Sequence, residues 1–301
     1  MTQEWESVEF ERLRASMADF ALESGLEPLA YPRNLALSLA CEIGTLCNCL
    51  KWRSAEDCLN GLQGFTQEDK SLVGQRLSSV LLCLVRLSDL CGVHLPKAIR
   101  AKIKINEAKY PASLVKGSSN KYTAYTHATG YGKGKSPEKT GTKHLAEAGA
   151  PWDGTMLSEV MNMLNDFVSE REWDTFHTPR DLCLAMSGEA GEVSECFLWR
   201  AEEDCQQGLE GWTLEERDGL AQELSDVTIY TIRMAYICQI DLAAAAHLRV
   251  GTYRNQFLSN GHSCSGGGGK GGRLSNSRVV QGLILLALVT PLALIGVSKR
   301  R

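Results

Sequence analysis

The stretch HTPRDLCLAMSGEAGEVSECFLWR (177–200) decides what kind of fold this chain adopts. Leu182, Met186, Glu189, Val193 and Cys196 follow a 4-3-4-3 spacing, which is one face of an α-helix. Pro179 suits the first helical turn, where the missing N–H costs nothing. The difficulty is what the face carries. Glu189, Glu192 and Glu195 fall three residues apart, and Glu189 stands on the apolar stripe itself. A repeated acidic pair on a helix is ordinarily a solvated face with partners one turn away. A carboxylate on the buried stripe is another matter, because leaving it unpaired costs several kcal/mol.

A second segment, QELSDVTIY (222–230), carries Glu223 and Asp226 at the same i, i+3 spacing. Its own stripe of Leu220, Leu224, Val227, Thr231 and Met234 is again helical. Two helices that each present such a pair can face one another in a bundle. Too few basic residues lie in the neighbouring turns to neutralise four carboxylates, whereas a hard divalent cation would. An iron bundle needs Glu-x-x-His pairs, and no histidine stands at the matching place. An all-oxygen ligand set favours Mg²⁺ or Mn²⁺. Gly188 and Gly191 are costly inside a helix. They admit either tight packing or the close approach of a partner helix or a phosphate.

The chain also repeats itself. YPRNLALSLACEIGTLCNCLKWRSAEDCLNGLQGFT (31–66) aligns with the opening stretch and its continuation to Thr213 at a constant offset of 147, and 16 of the 35 positions from Pro32 to Thr66 are identical. The expected organisation is a first repeat over 1–116, a flexible linker over 117–154 and a second repeat over 155–260. Strand-like alternation is scarce, so each repeat should be a bundle of about four helices and the fold all-α.

Residues 279–297 contain no charge and precede SKRR at 298–301. They are long enough to cross a hydrocarbon core of about 30 Å. With the Gly/Ser-rich tether 261–278 before them, they predict a transmembrane tail anchor with the body in the cytosol, at the mitochondrial outer membrane or the endoplasmic reticulum. The 301 residues are 44% hydrophobic and 23% charged, an ordinary globular composition, with eleven cysteines in no disulfide or zinc framework. A net charge of −4 argues against stable nucleic-acid binding, and the lysine- and aromatic-containing stretch at 121–136 reads as solvated linker.

The words around the acidic pairs, REWDTFHTPRDL, GEAGEVSECFLW and ELSDVTIYTI, resemble the all-α nucleoside triphosphate pyrophosphatases of the MazG-like group, closest to the dCTP pyrophosphatase branch. The resemblance implies Mg²⁺-dependent hydrolysis of a deoxynucleoside triphosphate (dCTP, a modified pyrimidine dNTP or dUTP) to the monophosphate and pyrophosphate. It implies Glu189, Glu192, Glu223 and Asp226 as metal ligands, with Glu192 or Glu195 orienting the attacking water. It places Trp173, His177, Trp199 and Tyr230 around the nucleotide and Arg249 against a phosphate. It also implies a homodimer of this chain, a pseudo-tetramer of repeats.

The first repeat departs from the pattern. At the same offset Thr45, Arg76 and Ser79 stand where the second has Glu192, Glu223 and Asp226, so it should be catalytically dead. Its tail KIKINEAKYPASLVKGSSNKYT (102–123) nevertheless keeps Lys102, Asn106 and Tyr110, which match the group, where the second repeat has Arg249, Tyr253 and Phe257. Either the first repeat is a structural partner only, or Lys102 and Asn106 reach across to complete the second site. The competing function is a non-catalytic, tail-anchored helical scaffold that binds nucleotides or partner proteins.

Overall fold

The structure, a computed structural model, describes residues 4–25, 31–118, 120, 124 and 143–259. The expected tether at 261–278 and membrane span at 279–297 lie outside the described residues, as does most of the 117–154 connection.

The described chain is built from helices, as expected, with two isolated β-bridges and no strand among the described residues. Helices α1 (Phe10–Glu23), α2 (Pro32–Leu50), α3 (Gln67–Leu90) and α4 (Leu95–Lys109) are followed by a single turn, α5 (Ala112–Val115). The order then recurs in α6 (Leu157–Glu170), α7 (Pro179–Cys196), α8 (Leu214–Ile237) and α9 (Leu242–Ser259). Prolines 32 and 179 open α2 and α7. Thr66 and Thr213 cap α3 and α8, each closing a capping box with the acidic residue three positions on, Asp69 and Glu216. Each such cap satisfies amide groups that would otherwise lack partners, for about 1 kcal/mol. The turns before these caps also correspond, with Leu62 and Leu209 both at φ 50°.

The core is one continuous cluster spanning both halves. Leu39, Leu77, Leu84, Leu220 and Leu224 are fully buried, and each such side chain contributes about 2 kcal/mol of apolar burial. Helices α2 and α7 lie against each other across the middle, while α3 and α8 form the buried floor. Helix α3 is also long and apolar enough to cross a membrane, but it is buried in this core.

The last long helix of each half packs on the opposite half. Helix α4 lies against α8 and α6, and α9 lies against α3 and α1. The polar contacts that fix this exchange come in pairs related by the offset of 147. Lys102 on α4 meets Asp226 on α8, and Arg249 on α9 donates from Nε to Ser79 Oγ on α3 at 3.0 Å. The Gly61 amide donates to the Ile237 carbonyl at 2.6 Å, and the Gly208 amide to the Leu90 carbonyl at 2.8 Å.

One expectation needs correction, and one of the two alternatives for the α7 glycines drops out. The connection over 117–154 is not wholly a solvated linker. Residues 143–154 dock into the turn between α3 and α4, where the His94 amide donates to the His144 carbonyl at 2.7 Å and Trp152 is buried and stacked on His94. Average composition over the segment hid these anchoring side chains. Gly188 and Gly191 do not serve packing within the chain, since a Cβ at either would meet nothing within 4 Å. Both glycines look outward from α7.

Because Arg249 seats α9 beside the buried Glu42, Arg249→Ala should lower unfolding stability by about 2 kcal/mol or more. Arg254→Ala, which removes an exposed pair with Glu23, should change it by less than about 1 kcal/mol. Urea unfolding midpoints measure both, and equal midpoints would count against the exchanged packing.

Candidate active site

Helices α7 and α8 pack closely and bring their acidic pairs together. One carboxylate oxygen each from Glu189, Glu223 and Asp226 lies within 4.8 Å of the others. Glu192, one turn on from Glu189, is exposed at the rim, where it helps to raise the Glu223 carboxyl. Glu195 is exposed further along α7.

The electrostatics show what this convergence costs. Burial, reinforced by Asp226, Glu192 and Glu223, pushes the Glu189 carboxyl up to about 7. Burial likewise pushes Glu223 up to about 7, with Lys102 pulling the other way. Asp226 is raised by burial and held back by Lys102, whose Nζ lies 2.5 Å from Asp226 Oδ2. Burial and the neighbouring Lys102 lower Lys109. A close-set, all-oxygen, partly buried group whose members resist ionising together is a fitting place for a hard dication.

Above the carboxylates opens a cavity of about 360 Å³, at the small end of the range for small-molecule sites. Glu189 and Asp226 line its acidic end. Lys102 and Asn106 of α4, with Tyr110 just past its end, form one wall, and Trp173, His177 and Tyr230 form another. Trp173 is fixed edge-on between Tyr110, at 5.2 Å and 78°, and Phe167, at 5.7 Å and 74°. Its indole Nε1–H donates to the Ser118 carbonyl at 2.9 Å, so the ring offers the cavity an apolar surface and no donor.

Of the residues expected at the site, Glu189, Glu223, Asp226, Trp173, His177, Tyr230, Lys102 and Asn106 gather here, with Glu192 and Glu195 on the outer side of the same helix. Two do not. Arg249 lies with Ser79 and Tyr253 in the first half, because the exchange carries α9 there. Trp199 follows the end of α7 in a left-handed conformation, φ 60°, which turns it outward at 94% exposure, as Trp52 is at 87%.

The site also contains residues that the acidic motifs do not announce. Arg233 is buried at 3% exposure and bonds to His177, Asn165 and Asp174. Its signal was available on α8, since Asp226, Tyr230 and Arg233 continue the stripe at i, i+4 and i+7.

The matching positions of the first half are filled differently. Glu42 is 2% exposed, and burial pushes it up to about 7 against the opposing pull of Arg76 and Arg249. Ser79 accepts from the Tyr253 hydroxyl at 3.1 Å. Arginines and hydroxyls thus stand where the second half keeps carboxylates.

An all-helical bundle with facing carboxylates over an aromatic cavity is the architecture that the MazG-like resemblance implies. No protein-family model matches the chain, and no solved structure matches it. Curated relatives do. The chain is 38% identical over 111 residues to dCTP pyrophosphatase 1 of Bos taurus, covering 36% of this chain and 64% of the relative. It is 39% identical over 111 residues to dCTP pyrophosphatase 1 of Mus musculus, with the same coverage. It is 39% identical over 101 residues to that of Homo sapiens, covering 34% and 58%. The chain therefore spans less than two thirds of the length of these relatives.

The raised carboxyls give a pH dependence with a definite sign. Glu189 and Glu223 bind protons more tightly folded, at about 7, than at their ordinary value of 4.5. Their contribution to stability is therefore full below about pH 4.5 and is lost as pH rises towards about 7. In chelator, the melting temperature should fall between these limits, and Mg²⁺ should restore it at pH 8 while leaving pH 5 nearly unchanged. Thermal unfolding at both values, with and without Mg²⁺, measures this. An equal response to Mg²⁺ at the two values would contradict the assignment.

Proposed function

We propose that this chain is a divalent-metal-dependent nucleoside triphosphate pyrophosphatase. It hydrolyses dCTP or a modified pyrimidine dNTP, with dUTP as a further candidate, to the monophosphate and pyrophosphate. The observation that carries this reading is the convergence of Glu189, Glu223 and Asp226 at one end of a cavity walled by aromatic side chains and by Lys102. The names of the relatives support the substrate class.

Glu189, Glu223 and Asp226, with Glu192 at the rim, would hold Mg²⁺ or Mn²⁺. Such a cation, when bound, neutralises phosphate charge and lowers the pKa of a coordinated water. The protein's own groups do the rest. Lys102 holds Asp226 and supplies positive charge beside the acidic cluster, where the triphosphate would enter. Glu192 or Glu195 would orient water towards the α-phosphorus. The aromatic walls from Trp173 and Tyr230 would take the base, and Asn106 offers an amide to sugar or phosphate.

We further propose that the two halves are copies of one MazG-like unit, the first of them without catalysis. At the offset of 147, Arg249 of the second half corresponds to Lys102, and Ser79 of the first half corresponds to Asp226. A homodimer, giving a pseudo-tetramer, is supported by the paired exposure of Trp52 with Trp199 and of Leu37 with Leu184, apolar groups that a second copy could cover. Residues 279–297 would anchor the body to a membrane, with the mitochondrial outer membrane and the endoplasmic reticulum as the two candidates.

With Mg²⁺ and each dNTP in turn, the full-length protein should release pyrophosphate and monophosphate from a pyrimidine dNTP. Glu189→Gln should lower kcat about 100-fold or more, the effect of losing several kcal/mol of charge stabilisation. Nucleotide-dependent thermal stabilisation without release would instead favour a binding scaffold. In cell fractionation, the full-length protein should pellet with membranes and the chain lacking residues 279–301 should not; a soluble full-length protein would remove the anchor.

A further inference from the structure

Arg233 is a buried cation of the second half, 3% exposed, with three hydrogen-bond partners. Its guanidinium reaches three elements. Nη1 donates to Asn165 Oδ1 on α6 at 2.8 Å, Nη2 to Asp174 Oδ1 in the short turn after α6, and Nε to His177 Nδ1 at 3.3 Å. An arginine only donates, so His177 Nδ1 must be the accepting, unprotonated nitrogen. A neutral imidazole that accepts at one nitrogen carries its proton on the other. Both residues line the cavity that holds Trp173 and Tyr230.

We propose that Arg233 is a specificity-determining positioning residue: it locks His177 as the neutral Nε2–H tautomer, so that the cavity presents the nucleotide base with a fixed hydrogen-bond donor. Such a donor selects a carbonyl oxygen or an unprotonated ring nitrogen, both of which a cytosine ring presents on one edge. It disfavours an edge that presents a donor there, because one of two facing donors is then left unpaired. The charged groups around His177 are consistent with the locked state. Burial and Arg233 hold its pKa down to about 4, outweighing Asp174 and Asp181, which favour the cation. Asp174 is bound by Arg233 itself, and Asp181 by the Thr178 hydroxyl, at 2.6 Å. The imidazole therefore keeps one tautomer across the physiological range.

The identity of the ligand rests on the pyrimidine-triphosphate reading, but the tautomer does not. Full-length protein with ¹⁵N-labelled histidine, examined by long-range ¹H–¹⁵N NMR from pH 5.5 to 8, reports His177 directly, with His177→Phe assigning its signal. The expected result is an Nε2–H pattern with no titration in that range. In Arg233→Met, His177 should titrate nearer its ordinary 6.5. The KM for dCTP should then rise about tenfold, with kcat changed much less, the size expected for one hydrogen bond. An Nδ1–H tautomer, or titration near 6.5 in the unaltered protein, would overturn the role of Arg233 even if the variant fails to fold. A locked Nε2–H His177 in a protein that hydrolyses dCTP, with no change of KM in a folded Arg233→Met, would overturn the base-reading role alone. The same locked imidazole in a protein with no affinity for any dNTP would overturn that role together with the pyrophosphatase reading.

Discussion

The contact between Lys102 and Asp226 connects most of what this structure does. It joins α4, from the first half, to α8, from the second, at the place where three carboxylates crowd together. Without a cation the cluster is unfavourable, since burial and mutual repulsion raise each member. A lysine delivered from the other half offsets part of that repulsion. The same placement puts Asn106 and Tyr110 into the cavity wall, so the cavity is composed from both halves. The first half is therefore part of the site, because it supplies a wall and the lysine that meets Asp226, while the matching cation of the second half, Arg249, lies in the first.

The reciprocal contact has drifted to a different chemistry. Arg249 and Ser79 occupy the positions equivalent to Lys102 and Asp226, with Tyr253 on the same serine. Glu42 is the one carboxylate at the matching positions, sealed among Arg76 and Arg249. A buried carboxylate facing two arginines can hold α9 in place but lacks the all-oxygen character that suits a dication. Each exchanged helix has to be seated on the opposite half, and a polar contact does so in both places.

The helices themselves were legible. Stripes at 3.6 spacing, prolines at first turns and Thr caps are local signals, and α2, α3, α7 and α8 follow them closely. The two acidic pairs were legible for a different reason: a carboxylate on a buried stripe has to be explained by a partner. Helix exchange was not decided by the sequence, because it depends on which of two equivalent grooves α4 and α9 enter. Hence Arg249 was expected at the second site and stands in the first. The resemblance places Trp199 around the nucleotide, whereas within one chain it faces solvent, as its counterpart Trp52 does. Trp152 and His144 were lost in a segment whose average composition is that of a linker.

The account is tested most directly by a double-mutant cycle on Lys102→Met and Asp226→Asn, read as Mg²⁺-dependent stabilisation and dCTP turnover by the full-length protein. If Lys102 completes the site, the two effects should be non-additive, with a coupling of about 1–3 kcal/mol. Additive effects, or a Lys102→Met protein indistinguishable from the parent, would mean that the first half serves only as a packing partner.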